Sequence, residues 1–458
     1  MLKSEPRIKS GMTDMTEGSI LRHILLFAVP LMFGNLFQML YNTVDSVIVG
    51  NFVGKQALAA IGSTTMIVNM LVFFFNGFSA GAGVIISHRF GAKQTESLHT
   101  AVETSMAATF IMSIIMTVLG VANVRPMLRL MATPDDVFAE AASYLTIYIA
   151  GISGLLIYNM CSGILRAVGD SRRPLFFLVL TSVLNIALDL LFVIVFKLGI
   201  EGAAYATIIS QAVSALLTLR LLSVSKEAYA FSWKDIGIEM NTLKAIFSVG
   251  LPAGIQAVLT AFSNVFVQSY INVFGSGVMA GWSSYNKLDQ FIMLPMSSVA
   301  MAATTFVSQN TGAKQYKRAD DGTKVSVLMI LAVSAVIAAL LYRFAEPAVR
   351  LFSPDPEVIS YGALFIHTNV FFFLLNCINH TLAGALRGYG DSKGPMVILL
   401  TGFVAVRQVY LYVLTHYISN TPKWVGFGYP VGWMAAAVMI VTYYAVKKKK
   451  LISSGITL

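Results

Sequence analysis

Four polar residues stand in stretches otherwise fit for hydrocarbon: Asp45, Asn185, Asp189 and Thr207. A charged group at the centre of a bilayer costs about 2.5–3.5 kcal/mol on insertion scales, so a carboxylate kept there is a functional suspect by default. Gln38, Tyr41 and Asp45 fall at i, i+3 and i+7, which places them on one helix face. Asn185 precedes Asp189 by one turn, and Gln211 follows Thr207 by one turn. Two carboxylates, an amide and a hydroxyl make a hard, oxygen-lined set able to hold a cation. The same atoms could instead hold a proton on one of the two carboxyls. Pro30, about four turns before Asp45, could let that helix bend.

The second half of the chain offers fewer candidates. Lys287 and Asp289 could pair with each other or lie near lipid headgroups, where a long side chain reaches water cheaply. Arg407 lies deeper and could bond backbone carbonyls or a neighbouring helix. Gln256, Asp289 and Arg407, with Gln38, Tyr41 and Gln211, are the residues expected to line a substrate cavity. His367 and His380 are lone histidines on apolar stretches and read as packing residues. There is no GxxxxGK[ST] and no HExxH, so no P-loop ATPase or zincin site is built in, and no catalytic residue is assigned. Cys161 and Cys377 both sit in apolar runs and offer neither a disulfide framework nor a CxxC metal site.

These residues need a membrane to position them. Of the 458 residues, 56% are hydrophobic and 12% charged, against about 25% charged in soluble domains. A membrane helix takes about 20 mostly apolar residues. Runs of that kind cover 24–50, 58–83, 101–124, 137–163, 175–197 and 201–222, then 243–274, 278–308, 325–345, 358–385, 395–418 and 428–446. The expectation is an all-α integral membrane protein of twelve transmembrane helices, with no cleavable signal peptide. Its parts are an N-terminal segment 1–23, an N-lobe 24–222, a linker 223–242, a C-lobe 243–446 and a tail 447–458.

The net charge of +10 might suggest nucleic acid, but the basic residues lie in short segments between apolar runs. With the N-terminus inside and the helices alternating, 23 of the 32 Lys and Arg fall in inner segments and 7 in outer ones. Lys287 and Arg407 are the other two. That asymmetry predicts both termini in the cytoplasm.

The halves repeat. Gly91-Ala92-Lys93-Gln94 recurs as Gly312-Ala313-Lys314-Gln315, and Leu165-Arg166 with Gly169-Asp170-Ser171 and Pro174 recurs as Leu386-Arg387 with Gly390-Asp391-Ser392 and Pro395, both 221 residues on. Pro30 and Pro252 match at 222. Six helices per half, an even number, predict a pseudo-two-fold axis along the membrane normal. The repeated loops have a structural reading: Gly-Asp-Ser supplies a turn and Pro opens the next helix. The polar set does not repeat. Asp45, Asn185 and Asp189 map to Phe266, Val406 and Tyr410, and Thr207 maps to Ala437. A packing role would be expected to recur, which favours function for the four.

Taken together, Pro30, Gln38, Tyr41, Val44-Asp45-Ser46, Asn185-x-x-x-Asp189, Gly202-Ala203-Ala204-Tyr205-Ala206-Thr207 and the paired loops resemble the multidrug and toxic compound extrusion (MATE) transporters along nearly the full chain. The resemblance implies Na⁺- or H⁺-coupled export of amphipathic, often cationic compounds from the plasma membrane, with no cofactor, by a single chain. It implies that Asp45, Asn185, Asp189 and Thr207 form the coupling site. Many NorM-like members carry a Glu after a GLPxxxQ-like stretch; here Gly250-Leu251-Pro252 and Gln256 are followed by Thr260 and Ala261. That departure looks closer to the DinF-like branch. Two other readings are a lipid-linked oligosaccharide flippase of the same superfamily, which would want basic residues in its cavity, and a membrane-embedded enzyme or receptor.

Overall fold

The computed structural model describes residues 12–131 and 133–454, with side chains described up to 449. Lys3, Arg7 and Lys9, and the last residues of the 447–458 tail, lie outside that range. Among the described residues the secondary structure is helical, without strands. Eleven helices are long and apolar enough to span a bilayer, and a bent pair makes a twelfth. They are α1 (Ile20–Phe52), α2 (Lys55–Gly91), α3 (Thr95–Leu130), α4 (Asp135–Ala150 with Ile152–Ala167), α5 (Arg172–Val195), α6 (Gly199–Val224), α7 (Met240–Asn272), α8 (Ser276–Gly312), α9 (Tyr316–Arg343), α10 (Pro356–Gly388), α11 (Lys393–Ile418) and α12 (Pro422–Lys449). The 137–163 run is thus one span, bent by 45° at Gly151. Several helices outrun their apolar cores. α2 has 37 residues, about 55 Å at 1.5 Å per residue, well beyond the hydrocarbon thickness.

The chain divides into two compact units: Met1–Asp14 with Phe33–Gly250, and Met15–Met32 with Leu251–Leu458. Helices α1 and α7 therefore each change unit within the helix, beside Pro30 and Pro252. In the first unit, Phe75, Phe78, Met106, Leu156, Met160 and Ile246 build one buried cluster. In the second, Ile24, Phe27, Met296, Phe306, Phe373 and Trp433 build another. Each core is closed by apolar residues turned outward, such as Ile114 and Val118 on α3 and Leu216 on α6, each more than 60% exposed. Backbone groups are satisfied within each helix, so that apolar surface is free to meet lipid.

The repeated loops have repeated geometry. Lys93 (φ 57°) and Lys314 (φ 60°) both adopt the left-handed conformation. The N–H of Gln94 donates to Arg89 O at 3.1 Å and that of Gln315 to Asn310 O at 2.8 Å, the bond that closes a Schellman motif. Gly169 and Gly390 both have φ 85°. The carboxylate of Asp170 then accepts the N–H groups of Arg172 and Arg173 at 3.1 Å, opening α5. That of Asp391 accepts Gly394 N–H at 3.0 Å, Tyr443 O–H at 2.6 Å and Lys447 Nζ at 2.9 Å, opening α11. Close helix approach recurs too. A Cβ on Gly163 would meet Ser79 Oγ at 2.6 Å, and one on its repeat mate Gly384 would meet Ala300 O at 2.5 Å.

The segment between α6 and α7 is not a loose tether. Its Ser232 N–H donates to Glu103 Oε1 at 2.7 Å and its Glu239 N–H to Thr104 Oγ1 at 3.1 Å. Phe231 and Trp233 pack on Phe110. All of these residues lie in the first unit.

Candidate functional site

Within the first unit, Asp189 marks a change of helix type. Arg172–Asp189 is α-helical and Leu190–Val195 is a π turn. Such turns widen the backbone spiral and are frequent at functional sites. Asp189 is fully buried and Asn185 2% exposed. Neither carboxylate oxygen of Asp189, nor the amide oxygen or nitrogen of Asn185, has a hydrogen-bond partner. Asp45 Oδ1 and Gln211 Oε1 are buried and unpartnered as well. Asp189 lies close enough to Asp45 to feel its charge.

The register between α5 and α6 is set by the Ser214 hydroxyl, which donates to Thr181 Oγ1 at 2.6 Å. In an antiparallel pair, one turn further brings Asn185 level with Gln211, and the next brings Asp189 level with Thr207. The Thr207 hydroxyl donates to Ala203 O at 2.9 Å, so its oxygen lone pairs are left to accept or coordinate. Ile48 and Val49 on α1 pack in one cluster with Val193, Ile200 and Ala203, which seats Asp45, one turn earlier, beside the α5–α6 pair. Tyr41 lies beside Gln38 on its own helix.

Two tyrosines not singled out in the sequence belong here. Tyr144 and Tyr148 on α4 stack with centroids 6.2 Å apart and sit within electrostatic reach of Asp45. Tyr148 also lies beside Gln211. Their i, i+4 spacing was visible, but in an apolar run it reads as ordinary core. The group can supply several oxygens to one small cation, or take up a proton, and its bare atoms suit either. No three or more His, Cys, Asp or Glu side chains converge among the described residues.

Gln256, Asp289 and Arg407 belong to the second unit. Gln256 is 6% exposed and accepts Arg387 Nη2 at 2.9 Å. Asp289 borders a small cavity lined by Tyr285, Ile292, Leu341, Ile366 and Phe373, with its Oδ1 unpartnered. Lys287 lies over the Phe352 ring, 5.4 Å from its centroid, and forms no ion pair with Asp289 among the described residues. Arg407 bonds a neighbouring helix through Ser263 on α7 rather than backbone carbonyls.

The family model described as MatE matches residues 30–191 and again 252–413. The two matches begin at Pro30 and Pro252, 222 residues apart, as the internal repeat does. "Probable multidrug resistance protein YoeA" of Bacillus subtilis is 29% identical over 95% of this chain and 96% of its own. "Multidrug export protein MepA" of Staphylococcus haemolyticus is 25% identical over 88% and 89%. A solved structure titled "Crystal structure of MATE in the straight conformation" superposes with a TM-score of 0.91 at 22% identity, covering 97% of this chain and all of that one. That likeness carries the fold: two repeated six-helix halves.

Proposed function

The chain belongs to the MatE family of multidrug efflux transporters, not enzymes, and from that premise we propose that it exports amphipathic, often cationic compounds by antiport against Na⁺ or H⁺. Asp45, Asn185, Asp189 and Thr207 are the coupling site. The observation that carries this reading is the set of buried, unpartnered oxygens on Asp189, Asn185 and Asp45. A buried polar group without a partner is costly, and in a membrane such a group is retained for an ion or a proton. When the site is loaded, one carboxylate's charge is neutralised and the repulsion between Asp45 and Asp189 is relieved. α1 then adjusts at Pro30, where the missing N–H leaves the Leu26 carbonyl without its helical donor. Drug and coupling ion compete for the same acids, so loading one releases the other by alternating access. The protein works as a single chain in the plasma membrane with both termini cytoplasmic, a reading supported by the 23-to-7 distribution of basic residues.

The test is efflux of a fluorescent cation from proteoliposomes under an imposed Na⁺ gradient and, separately, a pH gradient. The wild type exports under one of them, which names the ion. Asp45→Asn and Asp189→Asn each lower gradient-driven efflux at least tenfold. Full transport by both variants removes the coupling assignment.

A further inference from the structure

Among the described residues, Arg407 is a buried cation that no carboxylate pairs with. It is 2% exposed and follows directly on the π turn Thr401–Val406 of α11. Its Nη2 donates to Ser263 Oγ at 2.6 Å. Its guanidinium lies over the Tyr429 ring, 4.9 Å from the centroid. Its Nε has no partner, and no carboxylate pairs with it among the described residues. Asp289 acts on Tyr429 but forms no ion pair with Arg407. One turn before Ser263 on α7, Thr260 Oγ1 is also buried without a partner.

A structural pin between α7 and α11 would not need this charge. Gln408 Nε2 already ties the helices, donating to Ser263 O at 3.0 Å and to Ser263 Oγ at 2.9 Å. Nor does the arrangement recur in the first half, where Ser263, Arg407 and Gln408 map to Asn42, Ile186 and Ala187 at the 221-residue offset. Arg387, by contrast, recurs as Arg166, as a packing residue should. Burying a cation with no counter-charge is expensive, and the cost is recovered when an anion arrives. The ring covers the face of the guanidinium and leaves its edge for hydrogen bonds. A guanidinium edge matches the paired oxygens of a carboxylate or phosphate.

We propose that Arg407, with Thr260 one turn from its partner Ser263, is an oxyanion subsite that holds the carboxylate or phosphate group of the transported compound. The inference rests on the export reading and narrows it: the substrates include amphipaths that carry an oxyanion, alone or as zwitterions.

The experiment compares rhodamine B, which has a free carboxylate, with its ethyl ester, which has none. Both are followed in proteoliposomes of phosphatidylcholine under the gradient that drives export. Arg407→Gln slows transport of the acid roughly tenfold, the worth of one charge-assisted pair, and leaves the ester within about twofold. Arg407→Lys falls between, because it keeps the charge and loses the fork. Thr260→Val raises the KM of the acid several-fold and not that of the ester. Equal loss of both dyes in Arg407→Gln at an unchanged melting temperature, or no loss of either, overturns the proposal. If Arg407→Gln does not fold, the other two variants decide, and an unchanged acid-to-ester ratio in both overturns it. Adding phosphatidylglycerol to wild-type vesicles separates the sources of the anion. Unchanged selectivity supports a solute oxyanion, and selectivity erased by the lipid assigns the site to a headgroup and overturns the substrate assignment. Ester transport that depends on Asp45 and Asp189 leaves the antiport reading standing whichever way the acid behaves.

Discussion

Asp170 and Asp391 occupy the same place in the repeat, yet their surroundings send them in opposite directions. For Asp170, burial outweighs the two N–H donors and the Arg173 charge, and its pKa is raised. For Asp391, burial is overcome by Tyr443, the Gly394 N–H and Lys447, and its pKa is held below the ordinary carboxylate range. An acid with a lowered folded pKa contributes stability above its unfolded pKa and loses it as pH falls through the folded value. Asp391→Asn should therefore cost about 1–3 kcal/mol at neutral pH, the usual penalty for unmaking such bonds. That cost should shrink only below the ordinary carboxylate range. Asp170 has the opposite sign: its charged form is disfavoured on folding, so acidification relieves it. Thermal melting of purified protein and both Asn variants across pH checks the two signs. The sequence exposes the acids because an acid in an apolar run or a repeated motif is conspicuous. It hides Tyr443 and Lys447, which lie 52 and 56 residues from Asp391. It hides Tyr144 and Tyr148 for a different reason, since an aromatic in a membrane helix is unremarkable until its neighbours are known.

At the scale of elements, hydropathy alone locates the twelve spans, because a single segment can satisfy its own backbone in hydrocarbon only as a helix. Departures from ideal helix were less legible. The 45° bend falls at Gly151, one glycine among 35 with nothing in the sequence to single it out, and the π turn after Asp189 has no local breaker at all. Pro30 is the exception, as its missing N–H is written in the residue itself. Pro30→Ala restores the Leu26 bond and straightens the preference of α1. Efflux should fall several-fold while the melting temperature holds or rises, with a stability gain of up to the roughly 3 kcal/mol that a mid-helix proline costs. Paired transport and melting measurements check this; unchanged efflux would mean that α1 need not bend.

For the whole molecule, the repeat and the distribution of basic residues were plain from the sequence, because both are read along the chain without knowing any contact. The topology they predict is open to impermeant thiol labelling. Cys161 and Cys377 are fully buried and should give little background. Cysteines placed at Lys197 and Lys423 should react with an external maleimide in whole cells, and those at Lys93 and Lys314 only after lysis. The reverse pattern would invert the protein in the membrane.

The two units do not divide where the sequence repeat does: residues 15–32 belong to the later unit and the stretch up to Gly250 to the earlier one. Each half of the gene therefore encodes a piece of the other's core. Cutting the coding sequence between α6 and α7 would leave both products incomplete, each with a bare groove and a stray arm, fit for a chaperone or a protease until the two met. A six-helix ancestor built in this way would have lived as an arm-exchanged pair. Once its two copies were fused in tandem, neither could be discarded without exposing the other.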